Sequence, residues 1–580
     1  MSADKRGSMY ESLAVDILIL GGGGAGLMAA LHARRRGPDL RIAVAAKGLI
    51  GQSGCTRMVQ GGYNAVMDPR DSFALHFEDT VRSGAFINNQ ELAWVLVTQA
   101  PGIIGELERL GCFFDRDRDG RIYQKAFAGQ TFDRTVHRGD LTGIEIMSRL
   151  KENVLASGLI LLDEQRAVSL LADGEGRIGG ALLLDIRAGG FTAVSAKATL
   201  VATGGGARMY SIAAPSLEKS GDGMALCYRA GSVMRDMEMF QFHPTGLVAG
   251  KSILTGAVLE EGLRGAGGYL FNALGERFME RYDAQRMERS TRDLVSRAAY
   301  MEIQAGRATH DGAVLLDVSH LGAEFVEKTF PGMVDRCREV GFDLARAPVK
   351  VSPTAHFHMG GAVIDQWCRT SLEGLFVAGE DSGGVHGANR LGGNGVAEST
   401  VFGALAGDAM AEFVAGRPQP EPVSAQVKEA VVEATRPLGG NNGQTTEENI
   451  HAIRREIEDL MWAQGGVVRD SPGLESAIAG LDELGERAGR ATVPPLREYN
   501  LAWQEWLNVR SILTVARLTC QSALARRESR GSHYRSDYPE TDNREWLCSV
   551  TVRRDPNGAP EVWREEAKLT RLQPDRPVSP

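Results

Sequence analysis

A run of four glycines between an apolar strand and a helical segment constrains this chain more than any other feature. Val15 to Leu20 is apolar and rich in β-formers. It ends in Gly21-Gly22-Gly23-Gly24-Ala25-Gly26 and continues as Leu27-Met28-Ala29-Ala30-Leu31-His32-Ala33. Strand, glycine turn and helix, followed by a second strand at Arg41 to Ala46, is the βαβ order of a dinucleotide-binding half-domain. Within the GxGxxG pattern, Gly21 makes the tight turn. Gly23, with Gly24 beside it, lets backbone amides approach a pyrophosphate, and Gly26 lets helix pack on strand. The carboxylate that holds an NAD ribose at the end of the second strand is missing; Ala45, Ala46 and Lys47 stand there. The turn therefore points away from a standard NAD site, and Lys47 joins the candidate cofactor-binding residues.

Two later segments repeat the arrangement. Ala198-Thr199-Leu200-Val201-Ala202 runs into Thr203-Gly204-Gly205-Gly206, and Gly374-Leu375-Phe376-Val377-Ala378 runs into Gly379-Glu380. Such turns sit where a cofactor passes over strand ends, so Thr203, Gly204 and Glu380 are further candidates. One sheet is expected from distant parts of the chain, with an insertion between them. The insertion is expected over 238–353, which leaves 1–237 and 354–420 as the two parts of the nucleotide-binding domain. From about Glu421 the pattern turns helical and amphipathic, with Ile453 to Trp462 and Trp503 to Leu524 as predicted helices. A helical domain is expected over 421–530. The polar, proline-rich tail, 531–580, has one strand-like piece at Trp546 to Val552.

A length of 580 residues fits two to four domains. The formal net charge of -9 speaks against nucleic acid as a partner. No apolar run approaches the roughly 20 residues of a membrane span, and the start of the chain reads as a short tail into a first strand rather than a signal peptide. The seven cysteines include no CxxC pair, so neither an iron–sulfur cluster nor a zinc site is expected in this chain, and a reducing compartment is expected. No metal ligand set is predicted.

The remaining motifs carry a resemblance over nearly the whole chain. They are Gln60-Gly61-Gly62, Gln241-Phe242-His243-Pro244-Thr245-Gly246, Glu261-Gly262-Leu263-Arg264-Gly265, Gly275-Glu276-Arg277-Phe278-Met279, Arg292-Asp293, His356-Phe357-His358-Met359-Gly360-Gly361, His386-Gly387-Ala388-Asn389-Arg390-Leu391-Gly392-Gly393-Asn394 and Arg527-Glu528-Ser529-Arg530-Gly531. Together they resemble the succinate dehydrogenase and fumarate reductase flavoprotein family, which also includes L-aspartate oxidase. The resemblance implies an α/β fold: a Rossmann-like FAD-binding domain, an inserted α+β capping domain and a C-terminal helical domain. It also implies an FAD-dependent oxidoreductase acting on the CH–CH bond of a dicarboxylate.

The chemistry of the residues agrees. A small dianion leaves water only for fixed positive charge and donors at both ends. His243, His356, Arg390 and Arg292 offer these within glycine-bounded motifs. The resemblance makes His243, His356 and Arg390 substrate-binding and Arg292 the proton donor or acceptor. An arginine is a poor acid at its ordinary pKa, and the resemblance supplies a relay through Glu261 and Arg264. It also makes Asp222 a flavin-site aspartate, Glu380 the residue holding the ribose of the cofactor's adenosine half, and Gln60, Gly61, Gly62 and Asn394 cofactor-binding.

Two departures stand out. Many family members bond the flavin covalently to a histidine five residues before the QGG motif; Cys55 occupies that position here. FAD bound without a covalent bond is the favoured expectation, and a thioether at Cys55 or a cysteine that only fills space are the alternatives. Loss of the link is expected to lower the flavin potential, which tilts the enzyme towards reduction or towards oxidation by a strong acceptor such as oxygen. Glu260 stands where the family commonly has a threonine that contacts a substrate carboxylate. An amino-bearing or substituted dicarboxylate is one way to accommodate its charge.

The leading expectation is thus a catalytic flavoprotein subunit that passes electrons to a separate iron–sulfur subunit, with a membrane anchor reached through that subunit. The expected location is the cytoplasm, at the inner face of the membrane where partners hold it there. A stand-alone FAD oxidase of the L-aspartate oxidase type is the alternative.

Overall fold

In the computed structural model, which describes residues 9–127, 129–439 and 448–574, three strands far apart in sequence lie side by side. Glu11–Leu20, Phe191–Val201 and Leu375–Val377 run parallel, with Leu200 flanked by Ile19 on one side and Phe376 on the other. Their interiors are apolar and almost fully buried, as strands covered on both faces must be. Ile42–Ala46 and Ile160–Asp163 continue the parallel sheet beyond Glu11–Leu20. On the other side the antiparallel strands Ile178–Asp185 and Gln165–Ala172 complete seven strands. All three glycine turns therefore emerge on one edge of the sheet, at the carboxyl ends of its parallel strands, where ligands bind in this architecture.

The helix Gly24–Arg36 follows the first turn. A Cβ at Gly26 would lie 1.9 Å from the Gly21 carbonyl oxygen, so only glycine lets the helix start this close to the strand. The helix Asn394–Val414 packs across it. Gly403 and Gly407 allow that contact, since added Cβ atoms would fall 2.4 and 2.3 Å from the carbonyl oxygens of Ala25 and Ala29. This second helix carries the HGANRLGGN loop at its amino end, and so fixes that loop to the nucleotide-binding helix.

Between Phe191–Val201 and Leu375–Val377 the chain builds a second unit. Phe240–Leu247, Val349–His358, Val314–Asp317 and Tyr269–Phe271 form an antiparallel four-stranded sheet. It has a core of its own, with Leu247, Leu270, Val295, Leu316, Met333 and Val351 among its members. The two long strands cross from one core to the other: Phe240, Phe242 and Ala355 belong to the first cluster, Leu247 and Val351 to the second. The fold is α/β with an inserted α+β cap.

The C-terminal region is helical over Ile450–Gln464, Ser471–Arg490 and Leu501–Ala525. Each helix starts at an Asn or Asp whose side chain accepts from a first-turn amide: Asn449, Asp470 and Asn500. The segment that follows is held by charge. Arg526 donates to Glu238 at 2.7 Å and Glu528 at 2.8 Å, and Arg469 donates to the Glu238 carbonyl at 2.8 Å. Those contacts pin the chain just before the strand that carries His243. The strand Cys548–Arg554 lies where the sequence pattern places one, in a five-stranded sheet with Met234–Arg235 and Pro560–Glu566. Among the described residues no helix is long and apolar enough to cross a membrane, and no group of three or more His, Cys, Asp or Glu is placed to hold a metal ion.

Candidate active site

A cavity of about 1000 Å³ runs from the glycine turn to the junction of sheet and cap. Gly21, Gly23, Gly24, Lys47, Cys55, Gln60, Gly61, Gly62, Thr203, Gly204, Asp222 and Glu380 line it on the sheet side. His243, His356, Glu261, Arg292 and Arg390 line its other end. Gly26, Arg264 and Asn394, also predicted for the site, stand behind its wall.

The nucleotide end suits a dinucleotide. Gly23 caps the helix Gly24–Arg36 without a side-chain bond, and no acid occupies the first turn. The helix therefore presents amides and the positive end of its dipole to the cavity, as a pyrophosphate needs. Lys47 and Asp222 are paired at 2.8 Å, and Arg166 donates to the other oxygen of Asp222 at 2.7 Å. Burial opposes ionisation of Asp222, but Arg166 and Lys47 outweigh it and keep its pKa far below the usual carboxylate range. Glu380 accepts from the His358 amide at 2.9 Å and pairs with the buried Lys219. Arg166 and Lys219 carry no motif in the sequence, and only the fold brings them here.

The QGG segment is fixed by sterics. A Cβ at Gly61 would lie 2.2 Å from the Phe127 ring, and one at Gly62 2.3 Å from the Val136 carbonyl oxygen. Gln60, with its amide turned to suit, accepts from Arg336 Nη2 at 2.9 Å. Cys55, half-buried, opens the short turn Thr56–Met58. Asn394 is fully satisfied by its surroundings: it accepts from Asn64 Nδ2 at 2.8 Å and donates to Thr80 Oγ1 at 3.0 Å. Its place is behind the loop, holding it.

At the other end the strand pairing aims the histidines. Gln241 pairs with Phe357, but the next residue, Phe242, pairs with Ala355. His356 is thus the extra residue of a β-bulge, a device that redirects a side chain next to a site. His243 and His356 have ring centres 5.5 Å apart. Burial, reinforced by the guanidinium groups around them, holds both pKa values well below 6.5, so both rings are neutral. They can still donate one N–H each.

Two arginines converge on the same space. Arg390 Nη2 lies 3.2 Å from His356 Nε2 and 3.1 Å from Gln241 Oε1. Arg292 Nη1 donates to the same Gln241 oxygen at 3.3 Å. Gln241 in turn donates to Asn389 Oδ1 at 2.7 Å and the Arg390 carbonyl at 2.9 Å. One amide therefore sets both guanidinium groups, and its role is visible only in the fold. Arg390 sits 4.7 Å from the centre of the Phe357 ring, and its Nε is buried without a partner. Burial, with Arg292 nearby, pushes its pKa down to about 9, and among the described residues no carboxylate pairs with it.

Arg292 opens a helix, Arg292–Gln304, and donates to Glu261 through Nε at 2.8 Å and through Nη2. Arg264 donates to the other Glu261 oxygen at 3.2 Å, and to the Glu288 carbonyl. Burial alone would raise the pKa of Glu261, but Arg292 and Arg264 outweigh it and hold it below the usual value. Burial lowers that of Arg264. The three predicted relay residues thus form one connected chain. Glu260, which also lines the cavity, accepts from Lys125 Nζ at 2.8 Å.

A dinucleotide turn opening into a capped, cation-lined cavity defines a flavin-dependent oxidoreductase, and the likeness to known proteins says which kind. Residues 16–396 match the FAD binding domain family, and 454–578 match the family described as fumarate reductase flavoprotein C-term. The chain is 42% identical to one of the subunits of the fumarate reductase (CoM/CoB) of Methanothermobacter marburgensis, over 94% of this chain and 98% of that protein. It is 35% identical to the 8-methylmenaquinol:fumarate reductase flavoprotein subunit of Wolinella succinogenes, over 96% and 91%. A mutant E. coli quinol fumarate reductase structure superposes with a TM-score of 0.92 at 33% identity, covering 98% and 99% of the two chains. This chain belongs to the succinate dehydrogenase and fumarate reductase flavoprotein family and is an FAD-dependent oxidoreductase.

Proposed function

We propose that this chain is the catalytic flavoprotein subunit of a fumarate reductase or succinate dehydrogenase-type enzyme, interconverting a dicarboxylate and its unsaturated form. The observation that carries the reading is Arg390: a buried guanidinium on the cavity wall with, among the described residues, no paired carboxylate and an unpartnered Nε. Such a group is costly until an anion arrives. His243 and His356, neutral and beside it, add donors without adding charge.

Bound FAD supplies the hydride chemistry. The glycine turns, Lys47, Thr203, Asp222, the Gln60–Gly62 segment and Glu380, which is paired with Lys219, would hold it. His243, His356 and Arg390 bind and orient the substrate. Arg292 moves the proton at the carbon next to the one that exchanges hydride, and Glu261 and Arg264 restore it, the proton coming from or returning to solvent. Clamping by Glu261 and Gln241 holds the guanidinium in one orientation, which a general acid needs.

A stand-alone oxidase of the L-aspartate type loses its main support in the sequence, because Lys125 already gives Glu260 an ammonium partner. An iron–sulfur subunit is the proposed electron partner, with a membrane anchor through it and a cytoplasmic location. Two relatives named as subunits support a partner of some kind. The test is an anaerobic assay of the purified holoprotein, with a reduced viologen dye and fumarate, and with succinate and an acceptor dye. Fumarate- or succinate-dependent dye turnover is expected. A flavin that exchanges electrons with neither acid would overturn the proposal.

A further inference from the structure

The short strand Gln124–Lys125 is part of a small sheet with Thr135–Val136 and Tyr63–Asn64. Gly392 marks where this segment meets the site. A Cβ there would lie 3.2 Å from the Phe127 ring, 3.3 Å from Arg292 Nη2 and 3.4 Å from Glu261 Oε2. The Phe127 ring, two residues after Lys125, is therefore packed close to the proposed proton donor. Glu260, next to Glu261 in the chain, lines the cavity and is 5% exposed. Its carboxylate takes Lys125 Nζ at 2.8 Å, the only hydrogen bond that ammonium makes among the described residues. Lys125 also stands 5.8 Å from the centre of the Phe127 ring.

A lone carboxylate on this wall would repel a dianion. Lys125 cancels that repulsion. We infer that Lys125, aligned by Glu260, is a specificity-determining residue that favours an unsubstituted dicarboxylate and disfavours one bearing an ammonium group. The ammonium that would complement Glu260 is already supplied by the protein, so a second one on the substrate would find that carboxylate already neutralised. The inference rests on the proposed dicarboxylate chemistry.

The test uses purified holoenzyme and compares Lys125→Met with Lys125→Arg. Steady-state constants are measured for fumarate or succinate, and L-aspartate is scored as a competing ligand through perturbation of the flavin spectrum. Lys125→Met should raise KM for the plain dicarboxylate at least tenfold while kcat changes less than threefold. It should also strengthen L-aspartate binding, because Glu260 is left unpaired. Lys125→Arg should stay within threefold of the parent in KM. A merely structural pair would lower the melting temperature of Lys125→Met and leave KM and the aspartate preference unchanged; that result overturns the inference while the parent enzyme still turns over. If the parent itself handles no dicarboxylate, both the function and this inference fall together.

Discussion

Arg292 Nε donates to Glu261 Oε2 at 2.8 Å, and through that bond the cavity surface is wired to a buried chain leading away from it. The carboxylate cannot rotate freely, since Arg264 holds its second oxygen at 3.2 Å. Glu261→Gln keeps the shape but removes the proposed proton-exchanging group. It should lower kcat by roughly 10²-fold, in the range typical of a lost acid–base partner. FAD content and KM should change little. The check is steady-state kinetics beside flavin absorbance; a kcat within threefold of the parent would contradict the relay.

Gln241 offers a sharper test of geometry, because its Oε1 serves both Arg292 and Arg390. Gln241→Leu leaves the volume and frees both guanidinium groups. Loss of one such bond is worth about 1 kcal/mol, and of a bond to a charged group about 1.5–3 kcal/mol. With two such bonds lost, the expected fall in kcat/KM is at least roughly 100-fold, shared between kcat and KM because Arg390 is the proposed binder and Arg292 the proposed proton donor. Kinetics of the single variant decide it.

The pH dependence of stability has a fixed sign. His243 and His356 are held well below 6.5 in the fold by burial and by neighbouring guanidinium groups, and burial lowers His358 to about 4. The unfolded chain carries ordinary imidazoles. Below pH about 6.5 it therefore binds protons that the folded protein refuses, so these groups leave stability intact above that pH and erode it as pH falls. Urea midpoints of the holoprotein should fall between pH 7 and 5. His243→Gln should show a shallower fall; an identical slope would mean that His243 contributes nothing to it.

Much of this was legible in the residues, and the reason is local. The turn Gly21–Gly26 and the strands around Leu200 and Phe376 follow from apolar runs that stop at glycines, and the structure pairs them as neighbours. The C-terminal helices Ile450–Gln464 and Leu501–Ala525 extend the predicted ones by a few residues at the ends, where caps rather than periodicity decide. Lys125, Lys219, Arg166 and Gln241 were hidden as contacts for the opposite reason. Each meets a partner more than 50 residues away: Glu260, Glu380, Asp222 and Arg390. A lone lysine, arginine or glutamine gives no sign in the sequence of such a partner. The bulge that aims His356 is likewise a property of two strands in register.

Cys55 decides how the cofactor is kept. It lies on the cavity wall at the start of the turn Thr56–Met58. We expect FAD to leave the protein on acid denaturation, and the chain to show its unmodified mass by intact mass spectrometry. A mass increase equal to a bound flavin, lost in Cys55→Ala, would establish the thioether instead.

Proton delivery by Arg292 is best probed by stopped-flow reoxidation of the dithionite-reduced holoprotein by fumarate, comparing the parent with Arg292→Lys and Arg292→Ala under anaerobic conditions. The oxidised flavin spectrum should return rapidly in the parent and hardly at all in either variant, with FAD still bound. Reoxidation of Arg292→Ala at the parent's rate would show that the proton comes from elsewhere.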